Sequence, residues 1–245
     1  MTDPSAAALS VEDVRFNYGP KQALGGVSFT VEAGTFRALL GPNGAGKSTL
    51  FSLLTRLLVA PEGRITVAGY DLAKSPRAAL ARMGVVFQQP TLDLDLSVRQ
   101  SLHYFAGLHG MAGKRASVAI DAALDRLGMR ERAAETVRAL NGGHRRRMEI
   151  ARALIHEPTV LLLDEPTVGL DAASRRAITA HVHDLAAAGM AVLWATHLVD
   201  EIKDGDQVVV LHRGQVLADA TAKEVAGEGR LADAFLQMTG EEEAA

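Results

Sequence analysis

The chain has 245 residues, of which 48% are hydrophobic, so it can bury a substantial core, and its length allows one or two domains. The net charge of -3 at pH 7 lacks the basic excess typical of nucleic-acid-binding proteins, and we expect no nucleic-acid partner. The absence of cysteine excludes disulfides and thiolate metal sites, which predicts an intracellular protein that binds metal through oxygen.

Two features predict a chain that is neither secreted nor inserted in a membrane. Residues 1–10 contain no basic segment and no long apolar run, unlike a secretory signal. The longest apolar stretches are far shorter than the roughly 20 residues that cross a bilayer. Any membrane association is therefore expected to be peripheral.

The first part of the chain has the alternating pattern of antiparallel strands. Apolar and polar residues alternate within residues 9–31, and residues 65–67 add a further short strand. Tyr18 is expected in the first loop of this sheet, where an exposed aromatic ring could stack on a nucleobase. A tyrosine packed beneath that loop is the alternative.

A glycine-rich loop comes next. Residues 36–40 are predicted to form a short buried strand, and residues 48–58 have apolar side chains at helical spacing. The loop between them matches the phosphate-binding pattern G-x-x-x-x-G-K-[ST] completely. It consists of Gly41, Pro42, Asn43, Gly44, Ala45, Gly46, Lys47, Ser48 and Thr49. A nucleotide site is the first hypothesis, and an ordinary glycine turn before a helix is the alternative.

The position of this loop at a helix start suits a polyphosphate, because unpaired backbone N–H groups and a partial positive charge face the ligand. The loop glycines let the backbone turn tightly around it. Lys47 is expected to reach the outer phosphates, Ser48 to bind Mg²⁺ through its hydroxyl, and Thr49 to add an oxygen contact.

The middle of the chain is predicted to be helical. A strand over residues 83–87 ends at Gln88, and amphipathic runs then begin at Ser97 and Ala119, which indicates an all-helical insert. Residues 140–144, Leu-Asn-Gly-Gly-His, open a further helix. Two glycines at a helix start offer a second place where backbone N–H groups can meet phosphate, although this signal alone is weak.

Two adjacent carboxylates follow a fully apolar run. Residues 159–163 are typical of a central parallel strand, and Asp164 and Glu165 come directly after them. Ligands of open α/β sheets bind at that end of the strands. Asp164 is expected to hold Mg²⁺ through its water shell, and Glu165 to orient the attacking water or accept its proton.

The last third of the chain predicts a helix over residues 172–187, a buried strand over 190–195 and a hairpin over 207–217. The buried strand leads to His197. A histidine there can donate a hydrogen bond to a γ-phosphate, although a lone histidine is more often structural.

Taken in this order, the motifs resemble those of the ATP-binding subunit of ABC transporters, from about residue 9 to residue 240. The most specific feature is the segment 140–144, the signature, and its spacing before the strand that carries Asp164. The resemblance implies an α/β fold: a P-loop NTPase core with a parallel sheet, an N-terminal antiparallel β subdomain and an α-helical signature subdomain. All 245 residues would form one domain, with the core and antiparallel sheet at about 9–95 and 155–240 and the helical subdomain at about 96–154.

The resemblance also implies residue roles. Tyr18 would stack on adenine, Gln88 would contact Mg²⁺ or water and sense the membrane partner, and His197 would hold the γ-phosphate. In this family ATP lies between the phosphate loop of one subunit and the signature of another. The signature residues that would contact the nucleotide of a second copy are Asn141, Gly142 and Gly143, and Asp171 would support the contact between the two copies.

The signature departs from the family pattern L-S-G-G-Q, because Asn141 replaces serine and His144 replaces glutamine. The asparagine amide can still donate a hydrogen bond, but it is longer than a hydroxyl and shaped differently. The altered signature is therefore expected to change how strongly the site closes on the γ-phosphate.

The implied function is that of an ATPase, with ATP and Mg²⁺ as cofactors, which dimerises around ATP and powers transport through a separate transmembrane permease. The motifs look most like those of exporters. The chain would then be cytoplasmic and peripheral on the inner face of the cell membrane. Residues 88–101 are expected to dock the permease through exposed leucines at 92, 94 and 96, and the alternative is that these leucines pack into the insert's core.

Other functions fit less well. A soluble ABC ATPase is the main alternative, although the chain has neither long coiled coils nor a second cassette. A weakly hydrolysing, nucleotide-dependent regulator is favoured only by the altered signature. A small GTPase is disfavoured because the guanine motif N-K-x-D is missing, and a kinase would not explain the signature.

Overall fold

Two β-sheets and the helices packed on them form the described part of the chain, residues 7–240 of a computed structural model. The strands are β1 (Leu9–Tyr18), β2 (Lys21–Val31), β3 (Phe36–Leu40), β4 (Glu62–Val67), β5 (Tyr70–Asp71), β6 (Met83–Val86), β7 (Val160–Asp164), β8 (Ala191–Thr196), β9 (Gln207–His212) and β10 (Gln215–Thr221). The helices are α1 (Lys47–Leu54), α2 (Pro76–Leu80), α3 (Val98–Leu108), α4 (Gly113–Arg126), α5 (Gly142–Leu154), α6 (Ala172–Ala187), α7 (Ala222–Ala226) and α8 (Leu231–Thr239).

The two sheets differ in strand direction. The first has the order β2-β1-β4-β5 and is antiparallel throughout, as the alternating pattern of its strands predicts. The second has the order β10-β9-β3-β8-β7-β6, in which neighbours from β9 to β6 pair in parallel and β10 pairs antiparallel with β9. Every residue of β3, β7 and β8 is buried, which explains their mainly apolar sequences.

Apolar side chains cover both faces of the second sheet. Alternate residues of one strand point to opposite faces, so Leu40 of β3 joins one hydrophobic cluster and Leu39 joins another. The larger cluster also contains residues of α3, α4, α5 and α6, whereas the smaller contains residues of the antiparallel sheet and α1. The fold class predicted from the sequence is therefore confirmed.

The helical insert lies between β6 and β7, as predicted. Its first helix, α3, begins with a capping box, in which the Ser97 hydroxyl accepts from the Gln100 N–H and the Gln100 side chain accepts from the Ser97 N–H. The insert shares one continuous apolar cluster with the second sheet. Its treatment as a separate helical subdomain at about 96–154 stays a prediction.

Two local expectations are corrected. Helix α1 ends at Leu54 rather than near residue 58, because Thr55 caps it and Arg56 adopts a positive φ of 64°. Tyr18 is the last residue of β1, paired with Lys21, and not a loop residue.

Within residues 7–240, no helix is both long enough and apolar enough to cross a membrane.

The leucines of the segment after Gln88 are not exposed. Leu92 and Leu94 are half-buried and pack against the larger apolar cluster. The backbone of the segment is also anchored, since the Leu94 carbonyl accepts from the Arg138 N–H at 3.0 Å. The alternative interpretation, in which these leucines belong to the core, is the one that the structure supports.

Replacing Leu94 by Glu is therefore expected to destabilise the fold by about 1–3 kcal/mol, because a charge would enter a half-buried apolar position. Gln89→Glu is the matched control, since it introduces the same residue at an exposed position of the same segment. Urea denaturation of the purified variants measures the difference. If the two variants are equally stable, Leu94 is a surface residue and not part of the core.

Candidate functional site

The chemically important residues gather where the parallel strands end. Leu40 of β3 pairs with Thr196 of β8, and Asp164 of β7 pairs with Ala195, so these strands end at the same level. The Gly41 N–H donates to the Thr196 carbonyl at 3.2 Å, which ties the phosphate loop, residues 41–49, to the end of β8. The sheet thereby places the loop and both carboxylates at one edge.

The backbone of the phosphate loop leaves no room for side chains at two of its glycines. Gly46 precedes α1 with a φ of 112°, and a Cβ there would lie 2.9 Å from the Ala23 carbonyl oxygen. A Cβ on Gly41 would lie 2.4 Å from the Leu211 carbonyl oxygen. Helix α1 begins without a side-chain cap, so its first N–H groups are available to an anion.

Lys47 is buried at the centre of this loop. Its Nζ donates to the Gly41 carbonyl at 2.5 Å and to the Pro42 carbonyl at 3.1 Å. The same Nζ lies 3.3 Å from Oε1 of Glu165. The lysine charge is therefore positioned between the loop carbonyls and the carboxylate, where it can neutralise a phosphate group.

Glu165 joins three predicted site residues. Its Oε2 accepts from Nε2 of Gln88 at 3.0 Å, and its Oε1 faces Lys47. Nδ1 of His197 lies 3.3 Å from Oε1, but its orientation forms no hydrogen bond. Glu165 has a φ of 45°, a region that costs a non-glycine residue about 1–2 kcal/mol. The fold accepts this strain at a residue that directs its carboxylate into the site.

Asp164 is buried beside Glu165. Burial and the neighbouring carboxylate raise the pKa of Asp164 from its ordinary value of 3.8 to about 6, although Lys47 and Arg146 act in the opposite direction. An ionised carboxylate in this position favours a cation. The raised pKa therefore fits a residue that serves a metal ion.

The donors suit Mg²⁺ bound together with a nucleotide. Within residues 7–240, no group of three or more acidic, histidine or cysteine residues is arranged to hold a metal alone. Mg²⁺ commonly uses one or two protein oxygens and completes its shell with phosphate and water. Ser48 is exposed in the loop, Asp164 lies close to Glu165, and Gln88 keeps its Oε1 after Nε2 has bonded to Glu165. These oxygens fit such a shell.

One cavity of about 400 Å³ connects many of the predicted residues. The lining includes phosphate-loop residues together with Tyr18, Gln88 and Glu165. Tyr18 is 51% exposed and its ring lies edge-on to Phe16 at 5.0 Å, so its other surface is available for stacking. Sequence reasoning missed further lining residues, which come from the start of β2 and the turn after β9: Lys21, Gln22, Ala23 and Arg213.

The signature lies at the start of α5 and lines a separate cavity, of about 300 Å³. Asn141 caps the helix, since its Oδ1 accepts from the His144 N–H at 2.9 Å. Its side-chain amide nitrogen is thus the atom that can donate to a phosphate. Because asparagine caps a helix as well as serine does, the Asn141 departure preserves the helix start.

Gly143 has a role within the chain, in addition to the expected contact with the nucleotide of a second copy. A Cβ on Gly143 would lie 2.6 Å from Oγ of Ser174, which is on α6. Ser174 in turn donates to Asp171 at 2.7 Å. The absence of a side chain at Gly143 lets α5 approach the start of α6.

Side chains of α5 also hold the segment that carries Gln88. Arg146 donates to the Phe87 carbonyl at 2.8 Å and to the Gln88 carbonyl at 2.9 Å. Glu149 pairs with Arg146 at 2.8 Å and accepts from the Thr91 N–H at 3.0 Å. Helix α5 is therefore fastened to the residues on both sides of Gln88. Arg146, which belongs to a run of three arginines, is buried in this contact.

Comparison with known proteins agrees with this geometry. Residues 24–168 match the family model described as ABC transporter. The chain belongs to the ABC transporter family. Members of this family are ATPases, and the ABC protein described here is an ATPase with an ATP-binding site.

Several curated relatives of the ABC protein are named as resistance or export proteins. It is 39% identical over 237 residues to the daunorubicin resistance ATP-binding protein DrrA3 of Streptomyces coeruleorubidus, covering 96% of the chain and 75% of that protein. It is 34% identical to the linearmycin resistance ATP-binding protein LnrL of Bacillus subtilis, covering 94% and 74%. It is 38% identical to the Nod factor export ATP-binding protein I of Rhizobium meliloti, covering 86% and 64%.

Solved structures share the fold of the ABC protein. CbiO1 from Clostridium perfringens, described as part of the ABC transporter complex cbiONQ, is 31% identical with a TM-score of 0.81, covering 89% of this chain and 90% of that one. The ADP conformation of an ATP-binding cassette is 25% identical with a TM-score of 0.82, covering 95% and 99%. These likenesses support the assignment of the two-sheet core.

Gly143→Ala should destabilise the ABC protein by about 1–3 kcal/mol, because the new methyl group would overlap Ser174. Gly142→Ala is the matched control, since its Cβ would meet only the flexible end of Leu170 at 3.1 Å. Thermal unfolding without nucleotide compares the two variants. Equal losses would argue against the contact between α5 and α6.

Asp164→Asn should stabilise the protein in the absence of nucleotide and Mg²⁺. The pKa of Asp164 is about 6 in the folded chain, against an ordinary value of 3.8. Well below pH 4 the carboxyl group is protonated in both the folded and the unfolded chain, so it does not affect stability. Above pH 6 it is ionised in both, and the folded chain then bears the full cost of burying the charge. The free energy of unfolding should rise by at most about 3 kcal/mol near pH 7.5, and by roughly half of that near pH 5. Denaturant titrations at the two pH values test this, and a gap that does not change with pH would contradict it.

Proposed function

We propose that this ATPase drives export through a separate membrane-spanning permease, and that two copies close around ATP. Support for export comes from the resistance and export proteins to which the chain is similar over most of its length. Such a subunit would work at the cytoplasmic face of the cell membrane, held there by its permease.

The proposed dimer follows from the separation of the two nucleotide-facing elements. The phosphate loop and the signature line different cavities of one chain. Asn141, Gly142 and Gly143 would contact a nucleotide on a second copy, and this is supported by the cap at Asn141, which leaves its amide nitrogen available. An intact α5 start favours a hydrolysing subunit over a weakly hydrolysing regulator.

Each residue of the site takes a proposed part in hydrolysis. The loop N–H groups and Lys47 bind the phosphates, and Tyr18 stacks on the adenine. Mg²⁺, held through Ser48, Asp164 and Gln88, would neutralise phosphate charge.

Glu165 and His197 act on the attacking water and on the γ-phosphate. Glu165 orients the attacking water and accepts its proton. His197, which lies beside Glu165, donates to the γ-phosphate. The single observation that carries this mechanism is the placement of Lys47, Gln88 and His197 around the Glu165 carboxylate.

The segment after Gln88 remains the proposed contact with the permease, through its polar side. Its leucines turn inward, so the exposed residues available to a partner are Gln89, Pro90, Thr91, Asp93 and Asp95. Arg146 and Glu149 bind the backbone of this segment, which would link a movement there to the signature helix.

Glu165→Gln is expected to abolish turnover while ATP binding persists, because the amide preserves the size of the side chain but cannot accept the proton. Loss of a general base should lower kcat at least about a hundredfold. Lys47→Ala is the contrasting variant, since it should weaken ATP binding itself. Phosphate release and nucleotide titration separate the two effects. Turnover of Glu165→Gln within about tenfold of wild type would remove the proposed role.

Glu165→Gln should also trap the dimer, since ATP stays between the two copies when it is not hydrolysed. Light scattering with ATP and Mg²⁺ is expected to show twice the mass seen without nucleotide. A second substitution, Gly142→Asp, should prevent this by placing a carboxylate against the phosphates, and a Cβ at this position would meet only the flexible end of Leu170. A Glu165→Gln variant that stays monomeric at high protein and ATP concentration would contradict the proposed dimer.

A further inference from the structure

Glu201 is a buried carboxylate that none of the expected roles explains. It ends a short 3₁₀ turn, Val199–Glu201, and is only 3% exposed. Burying an ionised side chain is costly unless hydrogen bonds replace its hydration. Within residues 7–240, no lysine or arginine forms an ion pair with it, so neutral donors must supply this compensation.

Three side chains from two parts of the fold donate to this carboxylate. Oε1 accepts from the hydroxyl of Thr167, which lies in the turn after β7. Oε2 accepts from the indole Nε1 of Trp194 at 3.0 Å and from the hydroxyl of Thr196 at 2.7 Å, both on β8. All three donors are at most 1% exposed, so water does not compete for these bonds.

Each end of this network leads to a residue of the site. Thr167 is two residues after Glu165, and the Val168 N–H closes that turn by donating to the Glu165 carbonyl. Thr196 directly precedes His197, and its hydroxyl accepts from the Leu198 N–H at 2.9 Å, which closes the turn around the histidine. One carboxylate therefore binds both turns.

We propose that Glu201 is a positioning residue for ATP hydrolysis, which holds the Glu165 turn and the His197 turn at a fixed separation. The strained φ of Glu165 needs support from its surroundings, and the bond from Thr167 supplies part of it. Small displacements of reacting groups are costly to catalysis, whereas nucleotide binding rests on the phosphate loop. Loss of the bridge should lower kcat and leave the KM for ATP nearly unchanged.

The two threonines allow a test that preserves the shape of the core. Thr167→Val and Thr196→Val each remove one donor to Glu201, and Thr196→Val also removes the acceptor of the Leu198 N–H. Each should lower kcat about tenfold with the KM for ATP within about twofold. Because either loss opens the same bridge, the double variant should be no slower than the slower single variant by more than about twofold. If the effects of the two substitutions on kcat multiply in the double variant, or if the KM for ATP rises as kcat falls, the proposed bridge is wrong.

Glu201→Gln supplies the conservative comparison. Its carbonyl oxygen can still accept from Trp194 and Thr196, and its amide can donate to the Thr167 hydroxyl, so it should fold and lose less kcat than Glu201→Ala. Asp200→Asn is the matched control, because Asp200 is the neighbouring acid but is exposed and pairs with Arg175 at the surface. Its kcat should equal that of the wild type.

The chain has one tryptophan, so a single indole N–H resonance reports on the network even where turnover is slow. Thr167→Val should shift this resonance through Glu201, although Thr167 donates to a different oxygen from Trp194. Asp200→Asn should leave it in place. An unmoved indole resonance in Thr167→Val would overturn the bridge.

The inference rests on the proposed roles of Glu165 and His197, and the two can fail separately. Full turnover in Glu165→Gln would remove those roles. Normal turnover in both threonine variants, beside an inactive Glu165→Gln, would overturn only the bridge.

Discussion

Parallel pairing of β3, β8 and β7 is the constraint on which the rest of the site depends. Side chains on these strands are buried on both faces, so the chemistry has to come from residues at the strand ends or just beyond them. The aligned register brings residue 41 to the end of β8 and residue 165 beside Ala195. A shift of one residue in that pairing would separate the lysine of the loop from its carboxylate partner.

The carboxylates buried near the site lower the stability of the fold, and two of them have proposed roles in catalysis. Asp164 and Glu165 lie side by side, and burial raises the pKa of Asp164 to about 6. Glu201, which follows β8, is buried with hydroxyl and indole donors in place of a cation. Three acids enclosed near one edge of a sheet oppose folding, and the extensive apolar clusters on both faces of the sheet offset that cost.

Helix α5 connects the nucleotide edge to the insert. Its first turn presents the signature, and its buried Arg146 and Glu149 bind the backbone around Gln88. Arg152, one turn further along, lies over the Phe105 ring at 4.5 Å and so packs α5 on α3. A change at the Glu165 carboxylate therefore has a short path of hydrogen bonds to the signature helix, through Gln88.

The sequence by itself determined the buried strands, the helical insert, the phosphate loop and the two carboxylates at the end of β7, but not the helices α2, α7 and α8. It could do so because strand and helix periodicity and the glycine-lysine-serine spacing are local, and a strand that is apolar throughout is recognisable without its neighbours. The helix from residue 172 to residue 187 was predicted with the bounds that the structure has.

Only the tertiary structure decided which way ambiguous side chains face and which distant residues meet. The leucines that alternate with aspartates fit either an exposed or a buried edge, and contact with the larger apolar cluster settled the question. Gly143 needs to be glycine because Ser174, on another helix, occupies the adjacent space. Glu201 looks like a surface acid in the sequence. Its burial depends on donors from two strand ends, whose approach is set by the sheet register and not by any local pattern.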